Sequence, residues 1–303
     1  MPKKPAVLAP LSELYRTAFN SCAALWPILI LRIVFLFLNL SLFVLGLAIC
    51  CWPFLRELLG HWNEFDQNNF KNVMSEINWS SYFGDFKMLI LIALFVAFYV
   101  TFVCFFLAFF DAAVYSQMNR HQKSGEAFSW RLFFLGGIKK MIPMVGLQCA
   151  WLMVFLGVVF ALCFVGVFGV FIAKLLPWWI SLFLAFPTGL IAVLIMMVLF
   201  TALTLSAAYL VDGHGIGDSI NEGIRRAVQN KGRAMAAVLL LGLIYMIFFF
   251  AFTVVFTVLT IVPVIGILFG IVKFFVTSLL AIGINIYMSA LSVALQLEAK
   301  DSR

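Results

Sequence analysis

The sequence predicts an all-α membrane protein with six transmembrane helices, and three observations point to this fold class. The 303-residue chain is 65% hydrophobic and 11% charged, whereas soluble domains are about 45–50% apolar and about 25% charged. Its apolar residues form runs longer than the roughly 20 residues that cross hydrocarbon as a helix. The sequence lacks the alternating segments of about 10 residues that are typical of membrane β-barrels. Because only helices and closed barrels satisfy every backbone polar group in lipid, the runs are predicted to be helices.

The six predicted spans are separated by short polar connections and one longer connection. No cleavable signal peptide is evident, so the first span is expected to remain as an anchor. Several runs are close to 30 residues long, which favours tilted helices or helices that extend into the headgroups. The spans cover residues 24–52, 88–115, 143–173, 180–211, 234–262 and 265–295.

Lysine and arginine are unevenly distributed between the two sides of this topology. Fourteen fall on the side that holds both termini, four fall on the other side, and two lie within spans. Cytoplasmic loops of membrane proteins carry an excess of positive charge. Both termini are therefore predicted to be cytoplasmic.

The connections on the outer side differ in length. Those at residues 174–179 and around Pro263 are short and predict tight helical hairpins. The connection at 53–87 is long, and its large apolar residues recur at helical spacing. That pattern is typical of interfacial helices lying on the membrane surface. A soluble loop that packs on itself is the alternative interpretation.

A short amphipathic helix is predicted on the cytosolic side before the last hairpin, at residues 216–229. Ile220 and Ile224 share one face, while Glu222 and Arg226 are spaced for an i,i+4 ion pair. Such a helix is typical of segments that lie in the membrane interface.

Segments 11–19 and 128–140 follow the same amphipathic pattern before the first and second hairpins. One interfacial helix plus one transmembrane hairpin is then a unit used three times within a single membrane domain. The alternative is that basic inner loops produce such helices by chance. The predicted repeats cover residues 11–118, 127–211 and 216–297.

A glycine-rich loop at residues 213–217 precedes the last amphipathic helix. Free N–H groups at a helix start bind phosphate, but no Gly-Lys-Ser/Thr follows, so no nucleotide site is predicted. A turn leaving the fourth span is the favoured interpretation. A phospholipid headgroup site formed with Arg225 and Arg226 is the alternative. Asp218 is expected to be the N-cap.

Several polar or small residues within the spans are candidates for special roles. Arg32 and Lys273 each lie about eight residues into a span, and intramembrane charges are costly and often functional. The charged group of each is expected to reach the nearer membrane interface or to form a structural pair within the protein. Contact with a lipid or a solute is the alternative. The residues predicted to serve helix packing, through amide hydrogen bonds or small size, are Asn39, Asn285, Gly266 and Gly270.

The remaining ionisable residues predict no chemistry. Asp111 and Asp212 end spans and are expected to be solvated, with a pairing to Arg as the alternative for Asp111. The three histidines lie in connections without ligand spacing, and the six cysteines form no C-x-x-C pair. No metal site or cofactor is therefore predicted. No nucleophile with a neighbouring base is visible, so no catalytic residue and no enzymatic activity is predicted.

One stretch resembles a known group of membrane proteins. It reads Ala207-Ala208-Tyr209-Leu210-Val211-Asp212, a glycine turn, and then Ser219-Ile220-Asn221-Glu222-Gly223-Ile224-Arg225-Arg226-Ala227 before an apolar hairpin. It resembles bacterial six-span inner-membrane families, among them the membrane domain fused to some glycerophosphodiester phosphodiesterases. Nothing in the chain resembles the catalytic domain of those enzymes. The resemblance implies a bacterial inner-membrane protein and carries over no catalytic residue.

Two functions fit these observations. The first is a non-enzymatic scaffold, assembly or lipid-organising protein whose interfacial helices bind anionic phospholipid, with a protein partner or a second copy as a further partner. The second is a transporter or permease subunit for an apolar or amphiphilic anionic solute, driven by a separate ATPase. No nucleic-acid partner is expected. The candidate lipid- or solute-binding residues are Arg32, Lys273, Arg225, Arg226, Lys139 and Lys140.

Overall fold

A computed structural model describes residues 10–52, 56, 86–173, 178–229, 233–259 and 263–301. Eight α-helices lie within these residues, and no strand does. The helices are α1 (Leu11–Ala24), α2 (Pro27–Cys50), α3 (Phe86–Ser124), α4 (Trp130–Ala173), α5 (Trp178–Val211), α6 (Ile216–Val228), α7 (Arg233–Leu259) and α8 (Pro263–Asp301).

Six of the helices are long and apolar enough to cross a membrane. The prediction of six apolar spans is confirmed at this level, and the chain fits an integral, multi-pass membrane protein. Their apolar stretches are Pro27–Cys50, Met88–Ser124, Trp130–Phe171, Phe186–Val211, Arg233–Thr257 and Val272–Glu298.

Large aromatic side chains cover the outer surfaces of these helices. Phe98, Phe160 and Phe250 are each at least 70% exposed. Contiguous apolar surface of this kind is unfavourable in water, because apolar area is driven out of contact with it. Lipid chains solvate the same surface without that penalty, which agrees with the membrane environment predicted from composition.

The described helices divide into two compact units. The smaller unit is Leu31–Leu107. In it the rings of Phe35 and Phe106 stack with their centroids 4.1 Å apart. At Gly46 a Cβ atom would overlap the ring of Phe95, so the missing side chain admits this aromatic contact between α2 and α3.

The larger unit comprises Met1–Ile30 and Ala108–Arg303. In it α5 packs against α4, α6, α7 and α8, while α1 packs against α8. Fully buried alanines on α3, α5 and α8 let these helices approach closely. These alanines lie towards one end of the larger unit, where α3, α5 and α8 end and α7 begins. We call this end the basic end. The buried alanines include Ala112, Ala113, Ala208 and Ala290.

The predicted interfacial helices differ in how they are built. The first and third are separate short helices, α1 and α6. The segment predicted as the second, residues 128–140, is not separate, because α4 begins at Trp130 and continues through Pro143 to Ala173. The three-unit repeat therefore stays a prediction. The predicted outer interfacial loop at 53–87 lies almost wholly outside the described residues.

The glycine-rich loop at 213–217 closes one helix and opens the next. Gly213 has φ +112°, its N–H donates to Leu210 O at 3.2 Å, and the N–H of His214 donates to Tyr209 O at 3.2 Å. These two bonds define a Schellman motif at the end of α5. Gly215, in extended conformation, is the N-cap of α6. The prediction of Asp218 as N-cap is therefore wrong, since Asp218 lies in the first turn, where its charge favours the helix dipole.

Candidate functional site

A cleft of about 920 Å³ opens between α4, α5, α7 and α8, beside α3. All of its described lining residues belong to the larger unit. Sites that hold drug-sized molecules typically measure about 300–1,000 Å³. The cleft is thus large enough to hold a ligand, and this makes it the first candidate for a functional site.

The cleft is elongated along the helix axes. Its wall on α5 extends from Ala192 to Ala207, which is about 22 Å at the rise of an α-helix. Its wall on α7 extends from Met235 to Met246, or about 16 Å. Ala207 lies one turn before the end of α5. The cleft therefore runs from near the basic end across much of the roughly 30 Å hydrocarbon thickness.

The half of the cleft nearer the basic end is polar. Gln148 donates from Nε2 to Asp111 Oδ2 at 3.0 Å. The hydroxyls of Thr201 and Thr204 donate to carbonyls of their own helix, Met197 O at 2.8 Å and Thr201 O at 2.9 Å. Because these hydroxyl protons are used within α5, the threonine oxygens line the cleft as acceptors.

The α8 wall adds to this polar half. Ser289 donates from Oγ to the carbonyl of Asn285 at 2.9 Å, and both residues line the cleft. Asn285 was predicted to serve helix packing, and the structure places it at the cleft. Its packing role stays a prediction.

The other half of the cleft is mostly apolar, with walls that include Ala192, Val193, Leu243 and Met246, and Tyr245 also lines it. Methionine is unusually frequent around the whole cleft. Its flexible thioether side chain adapts to ligands of different shape. The lining methionines are Met144, Met196, Met197, Met235, Met246 and Met288.

A polar network joins three helices at the basic end. Asp212, just after α5, accepts hydrogen bonds from Lys123 and from Asn119 Nδ2 at 3.5 Å, both on α3. It also accepts one from Gln296 Nε2 on α8 at 2.9 Å. Only 5% of the Asp212 side chain is exposed. The expectation of a solvated Asp212 is wrong, because amide and ammonium donors from neighbouring helices replace the water.

A second set of contacts ties α1 and α7 to the same end. Tyr15 donates from its hydroxyl to Ala237 O at 2.6 Å, and Tyr287 donates to Tyr15 O at 2.9 Å. Burial raises the pKa of Tyr15, so its hydroxyl keeps the proton it donates. Arg233 and Glu298 form an ion pair of 2.8 Å between α7 and α8.

The helix α6 presents two different surfaces. Its small residues face α5, where a Cβ added at Gly223 would meet Ser206 and the carbonyl of Ala202. On another face, Ile224 is 40% and Val228 63% exposed. The predicted apolar face of α6 is therefore only partly uncovered in the described structure: Ile224 and Val228 are exposed, whereas Ile220 is half-buried. The buried residues Ser219, Gly223 and Ala227 form the face that holds the helix in place.

The predicted basic binding residues divide between exposed and bonded positions. Glu222 pairs with Arg225 at 2.6 Å and with Arg226 at 3.3 Å. The predicted i,i+4 pair is therefore confirmed. Lys140 donates to Leu210 O at 3.2 Å, at the end of α5. Lys139 is exposed. The structure brings these four cations to the basic end.

The other predicted residues lie elsewhere. Arg32 is buried, with 9% of its surface exposed, and Lys273 donates to Thr257 Oγ1 at 3.3 Å between α8 and α7. Lys273 is not among the described lining residues of the cleft. Asn39 lies half-buried in α2. A Cβ at Gly270 would meet no atom within 4 Å in the described part of the chain, and the surroundings of Gly266 lie outside it.

The described residues contain no group of three or more histidine, cysteine, aspartate or glutamate side chains that could hold a metal ion. No family model, curated protein or solved structure matches the chain. The resemblance of residues 207–227 to the bacterial six-span families therefore stays a prediction.

Proposed function

We propose that this protein is a non-enzymatic, lipid-organising component of a bacterial inner membrane. In this proposal the termini are cytoplasmic, and α6 lies in the cytosolic interface, where it binds anionic phospholipid. One observation carries the proposal: α6 is fixed to α5 through Gly223, yet it leaves Ile224 and Val228 uncovered beside the exposed Arg225.

The charges at the basic end support an anionic lipid as the ligand. Arg225 is 45% exposed even though it pairs with Glu222, and Lys139 on α4 is exposed as well. Each lysine or arginine near an anionic surface contributes about 1 kcal/mol of attraction. Exposed apolar residues beside such cations insert at the boundary between headgroups and acyl chains. Together they would enrich anionic lipid around this end of the protein.

The test is the lipid selectivity of the purified protein in nanodiscs that contain zwitterionic and anionic phospholipid. Spin-labelled lipids report which class is retained at the protein surface. We expect the anionic label to be preferred, and the preference to fall several-fold in the double variant K139Q/R225Q. The matched control is R56Q, an exposed arginine after α2, which should keep the preference. Equal retention of both lipid classes by the unmodified protein would contradict the proposal.

A transporter is the second candidate, and the cleft is the observation that favours it. An elongated cleft along the helices offers a path for an amphiphilic solute. Its described lining residues include no lysine, arginine or histidine, and contact of an anionic solute with Arg32 and Lys273 stays a prediction. Flux of a labelled amphiphile through proteoliposomes tests this function. Equal flux with and without the protein would remove it.

A further inference from the structure

We propose that the cleft binds an uncharged amphiphile that carries a hydroxylated head and one hydrocarbon chain. The hydroxyl groups of the head lie against Thr201, Thr204 and Ser289, and the chain extends along α5 towards Ala192. A monoacylglycerol has this chemistry. The inference goes beyond the proposed function, which depends on the outer surface of α6 and not on the cleft.

The position of the cleft along the helices determines where its ligand comes from. Val193 and Phe200 line the cleft from α5 and are exposed. Leu243 and Met246 line it from α7 and are exposed as well. All four residues lie in stretches long and apolar enough to cross a membrane, where the surroundings are hydrocarbon and not water. The ligand therefore enters from the membrane, whose molecules carry long hydrocarbon chains.

The hydrogen-bonding groups of the polar half favour a head that donates. Thr201, Thr204 and Ser289 use their hydroxyl protons on carbonyls of their own helices. Their oxygens therefore face the ligand as acceptors. A hydroxyl group of the ligand can donate to such an oxygen, whereas an ether or ester oxygen only accepts.

A hydroxylated head also gains these hydrogen bonds without a charge. Moving an unpaired ion out of water costs far more than moving a hydroxyl group that finds a hydrogen bond. The described lining residues include no lysine, arginine or histidine, so a phosphate or carboxylate head would meet no basic side chain among them. The lining therefore favours an uncharged head over an anionic one.

The shape of the cleft determines the rest of the molecule. Its polar groups lie mainly in the half nearer the basic end, and its mostly apolar walls continue from there towards Ala192 and Met246. This polarity gradient matches a head followed by one hydrocarbon chain. The volume of about 920 Å³ lies within the range of sites for drug-sized ligands, which favours one chain. Flexible methionines along the walls tolerate chains of different length.

The experiment measures binding of 1-dodecanoylglycerol to the full-length protein in nanodiscs by native mass spectrometry, at a fixed ratio of probe to lipid. Its dimethyl ether is the second probe, because it keeps the chain and the acceptor oxygens and lacks both hydroxyl donors. The 3-phosphate of 1-dodecanoylglycerol is the third probe, because it keeps the chain and the glycerol and adds an anionic group. The second probe tests the need for donors, and the third tests the need for an uncharged head.

Two pairs of variants assign the binding to the cleft. G242F places a ring in the cleft, where a Cβ at Gly242 meets no atom within 4 Å, so the backbone can accommodate it. G157F is the matched control, because a Cβ at Gly157 on α4 is equally open and Gly157 is not among the described lining residues.

The second pair tests the hydroxyl acceptors. T201V/T204V keeps the shape of both side chains and removes their oxygens from the cleft. T101V is the control, because Thr101 makes the same kind of bond, from Oγ1 to Ala97 O at 2.8 Å within its own helix, and is not among the described lining residues.

We expect 1-dodecanoylglycerol to bind more tightly than either other probe. T201V/T204V should weaken its binding at least about fivefold, as expected for the loss of two uncharged hydrogen bonds, and should leave the weaker binding of the dimethyl ether unchanged. T101V should leave the binding of both probes unchanged. G242F should abolish binding of 1-dodecanoylglycerol, and G157F should not affect it.

The proposal is overturned if the dimethyl ether or the phosphate binds as tightly as 1-dodecanoylglycerol. It is also overturned if 1-dodecanoylglycerol fails to bind, or if G242F and G157F behave alike. A loss in T201V/T204V that is equal for the hydroxylated probe and its dimethyl ether would likewise contradict it, because a change of shape alone would then explain the effect.

Discussion

The attachment of α6 to α5 through Gly223 predicts that one added methyl group will weaken it. In Gly223→Ala the new Cβ would lie 2.6 Å from Ala202 O and 3.1 Å from Ser206 N. Both are backbone atoms of α5 and cannot rotate away, so α6 has to shift. Overpacking of this kind costs about 1–3 kcal/mol. Gly217→Ala in the same helix is the control, because a Cβ there meets no atom within 4 Å in the described structure.

Both substitutions replace glycine by the best helix former, which by itself favours the helix by about 0.5–1 kcal/mol. The difference between the two variants therefore isolates the packing penalty. Hydrogen exchange of the α6 amides measures it, because local opening is read as a free energy. We expect these amides to exchange about 5- to 150-fold faster in Gly223→Ala than in Gly217→Ala. Equal protection in the two variants would refute the close packing of α6 on α5.

Three further predictions concern the same end of the protein. Asp212→Asn should lower the stability to thermal unfolding by about 1–3 kcal/mol, because a buried charged hydrogen-bond acceptor is lost; an unchanged unfolding temperature would contradict the network. Spin labels at Val228 and Asn221 compare two faces of α6. The label at Val228 should collide more often than the label at Asn221 with oxygen dissolved in lipid, and the label at Asn221 should collide more often than the label at Val228 with a water-soluble nickel chelate. The reverse order would contradict the orientation of α6. Burial raises the pKa of Cys22 to about 12. In a variant that keeps Cys22 as its single cysteine, alkylation at pH 8 should be at least about tenfold slower than alkylation of an unperturbed thiol, because less thiolate is present. The alkylation rate should increase as the pH rises towards 12. A rate at pH 8 equal to that of a free thiol would contradict the raised pKa of Cys22.

The spans could be predicted from the sequence because apolar composition and length act locally. Runs such as 143–173 report the surrounding solvent directly, whatever their neighbours are. Helix ends were harder to predict, since α4 begins at Trp130 and Pro143 does not interrupt it. The N-cap of α6 was misplaced for a related reason. The Schellman motif at Gly213 brings the chain straight into a new helix at Gly215, before the better capping residue Asp218 is reached.

The polar network and the cleft could not be predicted, because they depend on which helices meet. Asp212 looks like a solvated helix end in sequence, and its burial requires Gln296, which is 84 residues away. One signal was present: Thr201 and Thr204 recur at helical spacing with Met197 within an apolar run. A stripe of this kind looks the same whether it faces lipid, another helix or a cleft. Only the packing of α4, α7 and α8 around α5 distinguishes these cases.

The lipid shell of the protein taken directly from its own membrane tests the central claim most directly. Extraction with a nanodisc-forming polymer retains the surrounding lipids, and native mass spectrometry reports them together with any bound subunit. The account predicts that anionic phospholipid is enriched in this shell relative to the bulk membrane, and that K139Q/R225Q removes the enrichment. A shell with the same composition as the bulk membrane would contradict a lipid-organising role for α6.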